Sequence, residues 1–400
     1  DKNRIALIQT YVQRVDTDQK LLHTSMGKSI HYDELIIAAG STFNKFNWPG
    51  QDLEGVGGLY SLQDLDYMET YTRDAQRGVV VGGGLIGIEM AEMMHARHID
   101  VTFLVREKSY WNYVLPPEES EMINQHIRKH HIDLRLGEEL AEILPDERGR
   151  VEAVKTKHSG ETIPAQWVGL TAGVRPNISF LEGSGIESHR GVLIDHHFRT
   201  IVPHVHAIGD CAQFRDPLPG RGPLEQIWYT GKMHGETVAL NICGTERPYQ
   251  PGIFFYSANF FEVEYQTYGH IPANIPEHIG TFVWQQPEKE RLIRINYEKS
   301  TLRVTGFNLF GVRFRHEVCD LWLREQRDLA YVVQHLKAAH FDPEFYAGYS
   351  KSLVAQYNQA FPGNQIQLKK RATLKNMIFK SRRKHGPAVD LSAPTSTNQQ

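Results

Sequence analysis

The stretch Arg77-Gly-Val-Val-Val-Gly-Gly-Gly-Leu-Ile-Gly-Ile-Glu89 decides the fold. Its apolar run, residues 79–81, is typical of a strand buried on both faces. Three glycines follow in G-x-G-x-x-G spacing: Gly82, Gly84 and Gly87. Residues 88–96 then continue with helical periodicity, and residues 100–105 form a second strand-like run. This order of strand, turn, helix and strand predicts a dinucleotide-binding unit of the α/β class.

Each glycine of this loop has a predicted task. Gly82 permits the tight turn, Gly84 lets the backbone approach a pyrophosphate, and Gly87 lets the helix pack closely on the strand. Free N–H groups at the helix start face the phosphates, helped by the helix dipole. We therefore predict cofactor contacts along the whole glycine loop, which we define as residues 82–87: Gly82, Gly83, Gly84, Leu85, Ile86 and Gly87.

The residues at the end of the second strand determine whether NADH or NADPH is preferred. A carboxylate there accepts hydrogen bonds from the ribose of NADH, whereas an arginine holds the 2′-phosphate of NADPH. Val105 fills the usual acidic position, and Arg106 and Glu107 follow it. Arg106 favours NADPH, and Glu107 keeps NADH open.

The bulk composition is that of an ordinary globular enzyme. The chain has 400 residues, 40% hydrophobic and 23% charged, with a net charge of −3 that argues against a general nucleic-acid binder. Its 3 cysteines form no C-x-x-C pair, and no apolar run reaches the roughly 20 residues of a membrane span. We expect a cytoplasmic location. Because the chain starts at Asp1 directly in a strand-like pattern, we also expect it to be a fragment.

Further periodic segments outline the rest of the chain. Helices are predicted at residues 61–75, 116–131, 231–242 and 317–337. Residues 4–8 and 10–15 are predicted strands, and the aromatic and β-branched region 254–314 predicts an antiparallel sheet in a separate α+β domain. The histidine pairs are His130-His131, His196-His197 and His204 with His206. Since no carboxylate cluster accompanies them in the sequence, we predict no metal site.

Two more strand ends carry small or acidic residues that suit a ligand. Residues 35–38 predict a buried strand that ends at Ala39-Gly40, and residues 205–208 predict another that ends at Gly209-Asp210. Open α/β sheets bind ligands at such carboxyl ends. Asp210 can accept hydrogen bonds from ligand hydroxyl groups, although a helix N-cap is the simpler interpretation.

The ordered motifs Leu-Ile-Ile-Ala-Ala-Gly40, G-x-G-x-x-G and Ala-Ile-Gly-Asp210 resemble those of the flavoprotein reductases of the pyridine nucleotide-disulfide oxidoreductase superfamily. The resemblance is closest to the non-dithiol branch, which includes NAD(P)H-nitrite reductase flavoproteins, rubredoxin and ferredoxin reductases and NADH oxidases. It implies two interleaved dinucleotide-binding, Rossmann-like domains plus a C-terminal α+β interface domain. The implied segments are 1–75 and 173–250 for FAD, 76–172 for NAD(P)H, 251–340 for the interface domain, and 341–400 for a helical, basic tail that becomes disordered.

The resemblance also assigns residues. It places Ala39 and Gly40 at a crossing next to FAD, Gly173 and Arg175 at the return crossing, and Gly209 and Asp210 at the ribityl or pyrophosphate region. It places Leu224 and Gln226 near the flavin ring. Glu89 corresponds to an acid near the nicotinamide and is the predicted catalytic residue. The family's first glycine motif, which cradles FAD itself, is absent from the sequence, so tight FAD binding is in question.

The resemblance implies an FAD-dependent NAD(P)H oxidoreductase in which hydride passes from the nicotinamide to flavin N5. The electron acceptor stays open among a redox protein, a nitrite-reducing partner, a quinone and oxygen. Residues 251–340 carry the dimer contact in such relatives, which implies a homodimer. The alternative is a non-catalytic NAD(P)-binding interaction protein that has lost its flavin site.

Overall fold

A computed structural model describes residues 4–341 and 348–369. The chain separates into two compact units, Asp1–Glu262 and Val263–Gln400, which are described in turn. The division into interleaved FAD and NAD(P)H segments stays a prediction. The basic residues of the predicted tail from position 370 onward lie outside the described residues.

The first elements of the N-terminal unit are short strands followed by one helix. In chain order they are β1 (Val12–Asp16), β2 (Leu21–Thr24), β3 (Ser29–His31), β4 (Leu35–Ile37), β5 (Ser41–Phe43), β6 (Val56–Gly57) and α1 (Leu62–Thr72). Strands β1, β2 and β3 form an antiparallel sheet. The predicted strand at residues 4–8 is wrong: residues 4–11 form none, and Leu7 is 93% exposed. A β-prone run needs a neighbouring strand to bury its side chains and pair its backbone.

Helix α1 begins where the sequence predicts. Ser61 is its N-cap, and the Ser61 side chain accepts from the Asp64 backbone N–H while the Asp64 carboxylate accepts from the Ser61 backbone N–H. This capping box satisfies two N–H groups that the helix itself leaves without partners.

The glycine loop follows β7 (Arg77–Val81), a strand of the central sheet of this unit. Its region contains β7 (Arg77–Val81), α2 (Leu85–His95), β8 (Asp100–Val105), α3 (Pro117–Lys129), β9 (Asp133–Leu136), β10 (Leu140–Pro145), β11 (Val151–Thr156), β12 (Thr162–Pro164) and β13 (Trp167–Leu170). The sheet is parallel throughout, in the order β6-β13-β7-β8-β9. Val79 and Val80 are fully buried in β7, as the β-branched run predicts. The crossover from β7 through α2 to β8 therefore carries the glycine loop to the carboxyl edge of the sheet.

The remaining elements of the unit return to the first strands. They are β14 (Val174–Pro176), β15 (Val192–Ile194), β16 (Val205–Ala207), β17 (Ala212–Phe214), α4 (Trp228–Ile242) and β18 (Phe255–Phe260). Strand β16 pairs in parallel with β4, so their carboxyl ends, Gly40 and Gly209, lie at one edge. Strand β14 pairs antiparallel with β5.

The C-terminal unit is α+β. Its strands are β19 (Val263–Gly269), β20 (Ile279–Gln286), β21 (Arg291–Glu298) and β22 (Val304–Phe310), and its helices are α5 (His316–Arg324), α6 (Leu329–Gln334), α7 (Leu336–Ala339) and α8 (Ser350–Ala360). Within the unit the strands run antiparallel in the order β19-β22-β21-β20.

The single helix predicted at residues 317–337 is wrong, because the chain breaks it into α5, α6 and α7. Gln326 adopts a left-handed backbone with φ of 52°, which ends α5. Asp328 then caps α6 by accepting from Tyr331 N at 2.7 Å. Aspartate competes with helical hydrogen bonding and favours caps, so it starts a new helix here. Among the described residues, none of the helices has the length and apolar character needed to cross a membrane.

Candidate nucleotide site

A cleft of about 800 Å³ opens at the carboxyl edge of the central sheet. Eight of the predicted cofactor residues line it: Gly82, Gly83, Gly84, Leu85, Ile86, Arg106, Gly173 and Gln226. Its aromatic walls were not predicted from the sequence: Phe46, Trp48, Trp111, Tyr113 and Tyr256. A cleft of this size with polar groups at one edge is the usual form of a cofactor site.

The start of α2 faces this cleft without a side-chain cap. Gly84 is the N-cap, and no described side chain accepts a hydrogen bond from the first turn there. Backbone N–H groups at an uncapped helix start, together with the helix dipole, attract a phosphate.

The three motif glycines meet different surroundings. A Cβ on Gly87 would lie 2.3 Å from the Gly82 carbonyl oxygen, so only glycine permits this approach of α2 to the loop. Gly82 itself has φ of 122°, and a Cβ there would lie 2.6 Å from Ala172 N. A Cβ on Gly84, in contrast, would meet only Tyr113 Oη, at 3.8 Å. Gly82 and Gly87 therefore shape the loop, while Gly84 presents open backbone to the cleft.

Arg106 and Glu107 both line the cleft and pair with each other. Arg106 Nη2 donates to Glu107 Oε1 at 3.0 Å, and the side chains are 72% and 23% exposed, respectively. A pair this exposed is weak. Each side chain can therefore exchange its partner for a ribose substituent.

Glu89 lies one turn into α2 and is not among the residues that line the cleft. Although it is exposed to solvent, desolvation by surrounding protein atoms raises its pKa, and the charge of Glu92 raises it further. Burial, followed by the charge of Glu89, raises the pKa of Tyr256 to about 12. Tyr256 lines the cleft, whereas Glu89 does not.

The two strand ends of the predicted flavin segment are joined by Tyr60. Its hydroxyl donates to Asp210 Oδ2 at 3.0 Å and accepts from Ser41 N at 2.8 Å. Gly209 is open, since a Cβ there would meet no described atom within 4 Å, but a Cβ on Gly40 would lie 2.8 Å from Tyr60 Oη. The β16 end therefore offers both a carboxylate and open backbone, while Tyr60 covers the β4 end.

The remaining predicted residues divide between the cleft and its supports. Gln226 Nε2 donates to Ser41 Oγ at 2.9 Å, and its neighbour Glu225 accepts from Tyr249 Oη at 2.7 Å. Seven of the predicted cofactor residues lie outside the cleft lining: Gly40, Gly87, Gly209 and Asp210, described above, and Ala39, Leu224 and Arg175. Ala39 packs on the hydrophobic core, Leu224 bridges to Gln213, and Arg175 Nη1 donates to the Phe43 carbonyl at 3.4 Å.

In the fold, a glutamate that is distant in sequence lies beside each of two histidine pairs. His204 Nδ1 and His206 Nε2 lie 2.6 Å and 3.2 Å from the two oxygens of Glu34. His130 Nε2 lies 3.0 Å from Glu262 Oε2, and His126 Nε2 lies 3.7 Å from the same atom. The sequence shows no carboxylate cluster beside His130-His131 or beside His204 and His206. In the fold, strand pairing and chain reversal bring a single glutamate to each of these pairs from a distant position.

The implied cofactors can be tested against these surroundings. The uncapped α2 start and the open side of Gly84 fit a nucleotide pyrophosphate. At the β16 end, Gly209 and Asp210 fit a ligand that carries hydroxyl groups. At the β4 end, Tyr60 would have to move or exchange its hydrogen bonds before a ligand could approach Gly40.

Comparison with known proteins adds the family. The family described as pyridine nucleotide-disulphide oxidoreductase matches residues 1–235. A ferredoxin–NAD(P)+ reductase of Sphingomonas sp is 31% identical over 261 residues, which are 64% of this chain and 62% of that protein. The assimilatory nitrate reductase electron transfer subunit of Bacillus subtilis is 25% identical over 383 residues, 91% of this chain and 46% of that protein. This chain therefore covers less than two thirds of either relative.

The fold agrees with solved structures. The crystal structure of a ferredoxin reductase from Rhodopseudomonas palustris aligns with a TM-score of 0.69 at 22% identity, covering 78% of this chain and 74% of that one. The α/β class with Rossmann-like domains is thereby confirmed. The family match confirms the predicted superfamily and, with it, a cofactor class of FAD with a nicotinamide nucleotide.

Proposed function

Because this chain belongs to the pyridine nucleotide-disulphide oxidoreductase family, we propose that it oxidises NADPH or NADH at the glycine loop and passes the electrons through FAD to a protein acceptor. One observation carries this proposal: the uncapped start of α2 faces an 800 Å³ cleft whose wall is open at Gly84. That arrangement suits a bound pyrophosphate better than a purely structural turn.

The chain's own residues bind and orient the nucleotide. The N–H groups of Leu85 and Ile86 hold the pyrophosphate, and Arg106 exchanges Glu107 for the 2′-phosphate of NADPH. The family resemblance assigns Glu89 to the nicotinamide end of the cleft, and burial, followed by the charge of Glu89, raises the pKa of Tyr256, which lines the cleft.

On the flavin side, Asp210 accepts hydrogen bonds from ribityl hydroxyl groups, and Gln226 orients the ring edge from its anchor on Ser41. Bound FAD would accept a hydride and release electrons one at a time. The backbone at Gly209 leaves room for this ligand. Tyr60 gives up its contact with Asp210 when the site fills.

The acceptor is a small electron-transfer protein. The relatives support this choice, because one is named as a ferredoxin reductase and another as an electron transfer subunit. We further propose that residues 251–340 form a homodimer contact, on the strength of the family resemblance alone.

The test is anaerobic reduction of the reconstituted chain. The protein is mixed with FAD, desalted and titrated with NADPH while its visible spectrum is recorded. We expect retained flavin that bleaches, with Gly84→Val as a control that keeps flavin but bleaches slowly. A chain that binds NADPH but retains no flavin would contradict the oxidoreductase and favour a non-catalytic nucleotide-binding protein.

A further inference from the structure

A cluster of two histidines and one glutamate lies outside the nucleotide cleft. His126 and His130 stand one helical turn apart at the end of α3, with ring centroids 4.8 Å apart. Glu262, in the turn after β18, places Oε2 at 3.0 Å from His130 Nε2 and 3.7 Å from His126 Nε2. One ligand atom from each of the three side chains lies within 4.8 Å of the other two.

The cluster combines a fixed interior with an open side. The His126 side chain is 1% exposed, and the ring of Phe261 stacks on that of His130 at 4.1 Å and 6°. The Glu262 side chain is 59% exposed. The two imidazoles are thus held by packing, while an ion can reach them from solvent past the carboxylate.

The donor set suits a transition-metal ion. Two imidazoles and a carboxylate are common zinc ligands, and two histidines one helical turn apart can bind the same ion. Zinc bonds of about 2.0–2.1 Å in tetrahedral geometry place donor atoms roughly 3.3 Å apart. The observed distances of 3.0 Å and 3.7 Å to Glu262 Oε2 lie on either side of that value.

We propose that His126, His130 and Glu262 bind one Zn²⁺ ion, which ties the end of α3 to the turn after β18. A water molecule fills the fourth position. His126 Nε2 lies 3.0 Å from the Phe260 carbonyl oxygen, and coordination exchanges this contact for a bond to the ion. Since a metal takes the nitrogen that carries no proton, the neutral His126 ring then carries its proton on Nδ1.

The site is separate from the proposed oxidoreductase activity, because none of its three ligands lines the nucleotide cleft. Its function is to stabilise the fold. An ion that binds only the folded chain raises the melting temperature by an amount that grows with the ratio of free ion concentration to Kd. A plain histidine–carboxylate ion pair would give no such response to zinc.

The experiment uses the full chain, stripped with EDTA and dialysed. Zinc chloride is titrated calorimetrically into one sample, and Co²⁺ is added to a separate metal-free sample to record its visible spectrum. We expect one equivalent of tight zinc binding, a tetrahedral Co²⁺ spectrum and a zinc-dependent rise in melting temperature.

Two ligand variants and one control decide the assignment. Glu262→Gln and His130→Gln should weaken zinc binding by at least about 100-fold, since even outer partners of ligands typically contribute 10–100-fold. His131→Asn removes an exposed neighbour outside the cluster and should bind as the wild type does. Asparagine tolerates the left-handed backbone at this position, where φ is 59°.

Melting curves without metal establish that each variant is folded, and Glu262→Gln is safe in this respect because its side chain is largely exposed. Equal zinc affinity in the wild type and in both ligand variants would overturn the proposal. So would the absence of any tight equivalent in the wild type.

Discussion

The hydroxyl of Tyr60 donates a hydrogen bond to Asp210 Oδ2 at 3.0 Å, across 150 positions of sequence. The same hydroxyl accepts from Ser41 N at 2.8 Å. One side chain thus joins the carboxyl ends of β4 and β16, where the flavin is proposed to bind. Asp210 is therefore engaged before any ligand arrives, and ligand binding has to replace this contact.

Removal of the Tyr60 hydroxyl should tighten FAD binding. In wild type, FAD has to break the hydrogen bond from Tyr60 to Asp210 before it can bind the carboxylate. Tyr60→Phe removes that hydrogen bond, and a gain of about 1 kcal/mol corresponds to roughly a fivefold lower Kd for FAD. The melting temperature without FAD should fall, because Ser41 N loses its acceptor. Quenching of flavin fluorescence measures the affinity. Weaker binding in the variant would show that Tyr60 itself holds the flavin.

Substitution at Gly87 should affect stability directly. A Cβ there would lie 2.3 Å from the Gly82 carbonyl oxygen, so Gly87→Ala should lower the free energy of unfolding by about 2–3 kcal/mol. Gly235→Ala is the matched control. Its Cβ would meet no described atom within 4 Å inside α4, and it should stabilise the protein by up to about 1 kcal/mol. Urea denaturation compares the two, and an equally stable Gly87→Ala would contradict the close approach of α2.

Arg106 and Glu107 should control the choice of nucleotide in opposite directions. Arg106→Gln removes the charged partner of the 2′-phosphate and should raise the Kd for NADPH by about 10–100-fold, with little change for NADH. Glu107→Gln should instead weaken NADH binding and release Arg106 from its partner at 3.0 Å. Calorimetric titration with both nucleotides measures this. An unchanged affinity ratio in Arg106→Gln would mean that the arginine is only a surface charge.

Glu138 should make stability depend on pH in the acidic range. Burial by itself would raise the pKa of Glu138, but hydrogen bonds from the backbone N–H groups of His158, Ser159 and Glu139 outweigh burial and lower the pKa from 4.5 to about 2. Since the folded pKa is depressed, this stabilisation is complete above pH 4.5 and is lost as the pH falls toward 2.

Glu138→Gln should therefore cost about 1–2 kcal/mol at pH 7, after allowance for solvent screening. The stabilities of variant and wild type should converge between pH 4.5 and pH 2. Denaturation curves recorded across this range measure the difference, and a difference that stays constant with pH would contradict the role of the ionised carboxylate.

Local sequence signals predicted local structure well. The Ser61–Asp64 capping box and the apolar run of β7 depend on neighbours only a few positions away, and the glycine loop needs only the strand before it and the helix after it. In these segments the residue types of the immediate neighbours are enough to determine the local structure. Asp328 is the exception: its preference for a cap is also a local signal, but hydrophobic periodicity predicts one continuous helix through this position.

Relationships across the chain were not predictable from one sequence. Tyr60 and Asp210 meet only because β4 and β16 pair in parallel, and Glu262 reaches His130 only because the chain turns after β18. The aromatic walls of the cleft, such as Tyr113, left a partial signal in the aromatic-rich loop after β8. The sequence of that loop does not indicate which aromatic side chain faces the ligand, because packing against the rest of the fold determines the orientation of each ring.

The most direct test of the nucleotide site is calorimetric titration of NADPH into the wild type, Gly84→Val and Gly235→Val. A side chain at residue 84 would enter open cleft, with Tyr113 Oη its nearest neighbour at 3.8 Å, whereas residue 235 meets no described atom within 4 Å. Both variants should therefore fold, which their melting curves check. We predict that Gly84→Val loses NADPH binding while Gly235→Val keeps it. Wild-type affinity in a folded Gly84→Val protein would contradict the assignment of the glycine loop.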